Sequence, residues 1–313
     1  MGHYLLRRLL ASLPVIFLVG VLTFSLLHIA PGDPALIIAG DEATPEDVEK
    51  IRKGLGLDRP LIVQFGLWVG RLARGDLGTS IFSNRPITSL MAPRVQPTVT
   101  LAILGLTLTL VIGIPLGILA AWWAGRAIDR IVMIFVVLGF SIPVFWLGFV
   151  MIWGLAVNLK IFPVIGYTPI SNGILPFLRA MTLPALAVAI PSAALVARMT
   201  RSAMLEVLRE DYIRTARAKG LTELTVHVRH AFKAASIPIV TIIGLLFAAL
   251  ASGFVVTETV FTIPGLGRMV VDAVIRRDYP IVQAMLMIVA VTYVFINLAV
   301  DILYAYLDPR IRY

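Results

Sequence analysis

The chain has 313 residues, of which 59% are hydrophobic and only 14% are charged, and its formal net charge is +9. Soluble domains carry about 25% charged residues, so a chain this long and this apolar belongs in a lipid bilayer. With no cysteine, disulfides, thiolate nucleophiles and cysteine-based metal sites are excluded.

A helix that crosses the hydrocarbon needs about 20 mostly apolar residues. Six segments meet that length, near Leu9–Ala30, Thr98–Trp123, Ile131–Val157, Met181–Ala197, Ser236–Val256 and Ile281–Leu303. The third runs from Ile131 to Val157 without a charge, whereas Pro184 and Pro191 interrupt the fourth. The first follows Arg7 and Arg8 and is longer than a cleaved signal core, which predicts a retained signal anchor with a cytoplasmic N-terminus. Six spans then return the C-terminus to the same side. The expected architecture is an all-α polytopic membrane protein. Its segments are a first span in residues 1–30, an extracytoplasmic stretch in 31–97, and a five-helix core in 98–313.

The excess of basic residues fits this orientation. Arg7, Arg8, Arg126, Arg130, the run from Arg198 to Lys233, Arg310 and Arg312 fall on expected cytoplasmic segments, as the positive-inside rule requires. That placement favours anionic lipid over nucleic acid as the partner of the positive charge.

The outer stretch 31–97 predicts a small domain between the first two spans. Thr44 reads as an N-cap, Pro45 opens a helix, Glu46 and Asp47 occupy its first turn, and Gly54 and Gly56 end it. A second outer segment, Phe254–Pro280, carries Pro264-Gly265-Leu266-Gly267, read as a tight turn in which glycine supplies positive φ.

The cytoplasmic loop 201–235 carries the most chemistry. Leu205, Leu208 and Tyr212 recur at helical spacing. Ala216 and Ala218 permit close approach by a partner, Arg214, Arg217 and Lys219 supply a basic rim, and Gly220 breaks the helix. A second short helix is expected from about Thr222 towards Lys233. Physics alone leaves two readings open, an amphipathic loop on anionic headgroups and a knob that docks a protein.

Other constellations carry less. No Gly-x-x-x-x-Gly-Lys-Ser/Thr phosphate loop is present, so any ATP must bind another chain. His227 and His230 are three apart but lack further metal ligands. Asp301 is the only acid within an expected span and lies near its cytoplasmic end.

Glu210-Asp-Tyr-Ile followed by Arg214-Thr-Ala-Arg-Ala-Lys-Gly220 resembles the "EAA" loop of ABC-importer permeases, in its oligopeptide/dipeptide version. Leu27-His-Ile-Ala-Pro-Gly-Asp-Pro34, Leu55-Gly-Leu-Asp-Arg-Pro60 and Gly75-Asp-Leu-Gly-Thr-Ser80 are similar to that family's N-terminal region. Ser141-Ile-Pro-Val-Phe-Trp-Leu-Gly148, Glu258-Thr-Val-Phe-Thr-Ile-Pro-Gly-Leu-Gly267 and Leu307-Asp-Pro-Arg-Ile-Arg312 extend the likeness through the core. Pro238 lies farther beyond Gly220 than in the sugar-importer version.

The resemblance implies the type I importer permease fold, in its B-type form, in a prokaryotic inner membrane. It implies a second homologous permease, two ATPase subunits that hold ATP and magnesium, and an extracytoplasmic solute-binding protein. This chain itself would hold no cofactor, metal or catalytic residue. In that family Glu210, Arg214, Thr215, Ala216, Arg217, Ala218, Lys219 and Gly220 would form the ATPase-coupling loop. Glu258, Pro264, Gly265 and Gly267 are expected to shape an outer gate. Di- or oligopeptides are the implied substrate, with nickel chelates, glutathione and oligosaccharides handled by relatives. The alternative from another class is an ion-gradient-driven transporter, which predicts ligands at the membrane centre and an internal repeat.

Overall fold

A computed structural model describes residues 2–29, 35–36 and 44–307. Among them the chain is helical, without a strand and with one isolated antiparallel bridge, Thr79 to Pro86. Two compact units are present. One comprises Met1–Val95 with Met269–Phe295, and the other Gln96–Arg268 with Ile296–Tyr313.

In the first unit, α1 (Gly2–Ile29) is followed by α2 (Pro45–Leu55) and α3 (Leu61–Ala73). The bounds of α2 follow its local chemistry. The Thr44 carbonyl accepts the Val48 N–H at 3.1 Å, and Gly56 leaves the helix at a φ of 70° that an L side chain resists. Phe24 of α1 packs on Phe65 and Trp68 of α3 with ring centroids 5.4 and 5.8 Å apart. The loop after α3 is fastened to the entry of the last helix. Ser80 Oγ donates to Asp278 Oδ2 at 2.6 Å, and the Ile81 N–H donates to Oδ1 at 3.2 Å.

Next come α4 (Ile87–Trp122), α5 (Ala127–Ser141), α6 (Val144–Met151) with a π-helical continuation to Asn158, and α7 (Ile174–Val207). They are followed by α8 (Asp211–Ala218), α9 (Phe232–Val260), α10 (Leu266–Arg276) and α11 (Tyr279–Leu307).

Among the described residues four helices are long and apolar enough to cross a membrane, at Arg7–Leu26, Ile87–Trp122, Ile174–Val207 and Tyr279–Ile302. The six expected spans are thus matched by four such helices, or five if the bent pair Ala127–Ser141 and Val144–Asn158 counts as one span. The uncharged third run is not one rod, because α5 and the helical segment Val144–Asn158 meet at 104°. Pro143 lacks the N–H that would continue the helix and crowds the residue before it. Ile142 accordingly adopts an extended conformation, φ −90° and ψ 122°. The fifth expected run lies inside α9, whose side chains at 245 and 247–253 are outside the description.

The interrupted fourth run proves to be the central helix of its unit. α7 continues for 34 residues through both Pro184 and Pro191. Met181, Leu183, Ala185, Ala187, Val188 and Ala189 are almost fully enclosed, and this packing outweighs the two lost backbone hydrogen bonds. Glycines let neighbours approach its backbone. A β-carbon at Gly113 would sit 2.8 Å from the Ala193 carbonyl oxygen, and one at Gly117 would sit 2.7 Å from that of Ala197. A β-carbon at Gly139 would sit 2.8 Å from the Ala194 β-carbon.

Candidate functional site

The first candidate, the loop expected to be cytoplasmic, is built on the end of α7. The helix stops at Val207, the chain reverses over Leu208-Arg209-Glu210, and α8 starts from the extended Glu210. The stripe expected through Leu205, Leu208 and Tyr212 is therefore broken, and Tyr212 faces outward at 46% exposure. Ile213 and Ala216 instead seat α8 on a small apolar core with Met204, Val226 and Ala231. Gly220, at φ 80°, closes the C-terminal turn, where Leu221 N–H donates to the Ala216 carbonyl at 3.3 Å. Thr222 then caps the next turn, accepting from the Thr225 N–H at 3.4 Å. The second helix begins with Glu223–Thr225 and continues as a π-helical turn, Val226–Ala231, into α9.

This geometry separates residues that the sequence placed together. Ala216 is buried within its own chain, so it cannot meet a partner; Ala218 is exposed and can. The basic rim is largely committed. Arg217 grips Glu223 through two bonds of 2.8 and 3.2 Å, and Arg214 reaches Asp211 at 3.2 Å. The hydrogen bond from Arg217 holds the Glu223 carboxyl below its ordinary range, overcoming the opposing effect of partial burial. Lys219 and Thr215 share the outer surface with Ala218, and Glu210 lies exposed at its edge.

Beneath this knob are contacts that no local pattern reveals. Asp129, at the start of α5, receives Arg201 of α7 through Nε at 2.6 Å and a terminal nitrogen at 2.8 Å. The Gly125 N–H also donates to Asp129, at 2.8 Å. Seventy-two positions separate the acid from the arginine, and only the fold joins them. His227 is buried and stacks on Trp122, with ring centroids 4.7 Å apart and planes 15° from parallel. Its Nδ1 lies 2.8 Å from the Glu223 carbonyl oxygen, a bond that requires the proton on Nδ1. Among the described residues no three His, Cys, Asp or Glu side chains form a metal-sized cluster.

The second candidate, the segment expected to lie outside, is a closed polar knot. Glu258 lies in the last turn of α9 and is fully enclosed. Thr98 Oγ1 donates to its Oε1 at 2.5 Å, and the Arg268 N–H donates to Oε2 at 2.9 Å. The same Thr98 oxygen accepts the Leu266 N–H at 2.8 Å. One threonine thus bridges the carboxylate and the start of α10.

Glycine serves here through its small size rather than through its backbone freedom. Neither Gly265 nor Gly267 has positive φ; in this segment Thr262 does, at 55°. The glycines serve close approach, because a β-carbon at Gly265 would collide with the Glu258 carboxyl group. One at Gly267 would lie 2.7 Å from the Val255 α-carbon. Pro264 occupies the intervening turn, after Ile263 donates to the Glu258 carbonyl at 2.8 Å.

Comparison with known proteins places both candidates in context. Residues 113–313 match the family described as binding-protein-dependent transport system inner membrane component. Residues 1–102 match the N-terminal family of the same systems. A probable peptide ABC transporter permease protein of Sinorhizobium fredii is 46% identical over all of both chains. The glutathione transport system permease protein of Escherichia coli K12 is 43% identical, again over all of both chains. Among solved structures, the inward-facing MetNI methionine ABC transporter matches with TM-score 0.58 and 20% identity. That match covers 71% of this chain and 98% of the other. At that identity the likeness concerns the fold alone.

Proposed function

This chain belongs to the family of binding-protein-dependent transport system inner membrane components, and on that premise we propose that it carries peptides across an inner membrane at the expense of ATP bound elsewhere. It is a permease subunit of an ABC importer. In our reading it crosses the membrane six times, with α9 as a further span and the bent pair α5–α6 as one. Both termini lie in the cytoplasm.

The observation that supports coupling is the architecture of α8. A short helix with its own buried footing presents Ala218 to the exterior among Thr215 and Lys219. A small residue on a firmly seated knob suits a close-packed protein contact better than a headgroup layer, where bulk has no cost. The contacting subunits would be a pair of ATPases, which hold ATP and magnesium. Closure of that pair would draw the knobs of this chain and a second permease together and open a pathway between the permeases. A solute-binding protein would deliver the cargo from outside, and the Glu258 knot would keep the outer segment ordered.

Peptides are the substrate class we infer, from relatives named as peptide permeases and identical at 44–46% over the full chain. Glutathione, itself a tripeptide, is the second reading, and the Escherichia coli relative favours it. The test is uptake into vesicles holding the complete importer, with labelled di- and oligopeptides compared with glutathione. Import of a peptide that requires ATP and the binding protein is expected. Import that persists without the ATPases and follows an ion gradient would overturn the assignment.

Topology is separable from transport. Cysteine placed at Thr44 should react with an impermeant thiol reagent from outside. For the cytoplasmic side Leu224 is the better position, being 60% exposed where Thr225 is half-buried. The reverse labelling pattern would refute the orientation.

A further inference from the structure

The first unit contains a cavity of about 720 Å³, within the range that holds small amphiphiles. Its wall brings together Lys53, Arg59, Arg71 and Arg74, contributed by α2, α3 and the turns that flank α3. None of the four forms an ion pair among the described residues. The single acid on the wall, Asp76, turns Oδ1 to the Gly78 N–H at 2.9 Å. Four like charges held around one space repel one another, and an anion would relieve that cost.

The rest of the wall is mixed: Gln64, Thr79, Ser80, Asn84 and Gln283 are polar, and an apolar part stands beside them. Phe24, Leu67 and Trp68 belong to that part. Phe24 stands near the end of the apolar run Arg7–Leu26, opposite the Arg7 end, at the level where a span meets headgroups. α3 itself leaves Leu61 and Ile62 at 57% and 81% exposure and ends on Arg71 and Arg74. An apolar face with basic residues at its edge is the pattern of a helix lying in a membrane interface.

We propose that this cavity binds an anionic phospholipid, with its phosphodiester among Arg59, Arg71 and Arg74 and an acyl chain along Phe24 and Leu67. The inference rests on the reading of α1 as a membrane span. A soluble carboxylate or phosphate would meet the same cations. It would leave the adjoining apolar wall and the exposed face of α3 without a partner, and this favours the lipid.

The complete importer, in nanodiscs of equal parts phosphatidylglycerol and phosphatidylcholine, is extracted into mild detergent, and retained lipid is counted by native mass spectrometry. The wild type should keep phosphatidylglycerol in preference to phosphatidylcholine. R71Q/R74Q should lower that retention at least about tenfold, since each basic residue at a membrane surface contributes appreciably to anionic lipid binding. R85Q is the control, because Arg85 is exposed in the same unit but outside the cavity; it should retain lipid as the wild type does. Unchanged retention in R71Q/R74Q, equal retention of the two lipids, or an equal loss in R85Q would overturn the proposal. So would displacement of the lipid by glycerol phosphate or an acidic dipeptide. Circular dichroism and thermal unfolding establish that the variants are folded. Uptake measured separately distinguishes loss of the lipid site from failure of the transport assignment.

Discussion

The α-carbon of Gly265 lies so near the Glu258 carboxyl group that no β-carbon fits between them. Any side chain at 265 must displace Glu258 from Thr98 and from the Arg268 N–H. G265A should therefore cost roughly 2–4 kcal/mol, combining overpacking with the loss of hydrogen bonds to an enclosed carboxylate. In thermal unfolding of the detergent-solubilised protein, G265A/E258A should recover much of that loss, because the two effects share one cause. Strict additivity of the two single substitutions would refute the contact.

Glycines in helices should divide by what surrounds them. G117A places a methyl group against Thr200 and the Ala197 carbonyl, and should destabilise by about 1–3 kcal/mol. Gly70, in α3, has nothing within 4 Å of the added carbon. G70A should be neutral or stabilise by up to about 1 kcal/mol, since alanine restricts the unfolded chain more than glycine does. Unfolding midpoints of the two variants provide the comparison.

The knob yields a paired test. A216E forces a carboxylate into the core beside Ile213 and Met204, so it should unfold α8 and lower the yield of assembled protein. A218E acts on an exposed position; the permease should remain folded while its hold on the ATPases weakens by a few kcal/mol. Co-purification of the ATPases with each variant reads the outcome. Full retention by A218E, with normal uptake, would remove the docking role from this face.

D129N removes one charge of a bidentate pair whose acid is 7% exposed and whose arginine is 27% exposed. The expected loss is about 2–3 kcal/mol, below that of a fully buried pair because Arg201 retains some water. R201K keeps the charge but not the fork, and should recover only part of the stability. Equal unfolding midpoints for wild type and D129N would contradict this account.

Much of this could be read from the residues, and the exceptions share a physical character. The start of α2 follows from Thr44 and Pro45, and the break at Gly220 from its freedom at positive φ; both are local. Hydropathy located the apolar run after Ile131 but is blind to direction, so the bend at Ile142-Pro143 escaped it. Conversely, the prolines of α7 implied weakness that the surrounding alanines and methionines cancel in three dimensions. Helical spacing could not say which of Ala216 and Ala218 turns inward, because that depends on Met204 and Val226 from neighbouring elements. Asp129 with Arg201, Thr98 with Glu258, and Ser80 with Asp278 are each far apart in the chain. No periodicity could pair them. Gly265 was singled out for its φ, whereas what excludes a side chain there is the Glu258 carboxyl group beside it.

At 1.5 Å per residue, the 34 residues of α7 extend about 51 Å, well beyond a hydrocarbon layer of about 30 Å. Its enclosed stretch is clasped by neighbours whose glycines touch its backbone, while its final turn runs directly into the reversal that seats α8. A rod gripped this way along its length resists flexure, so a push on α8 reaches the other end as tilt or translation. If α8 takes the ATPase contact proposed above, α7 acts as a lever arm, and the Asp129–Arg201 clasp lies close to its loaded end. Stiffness there would set how much of a small displacement at Ala218 survives to Ile174.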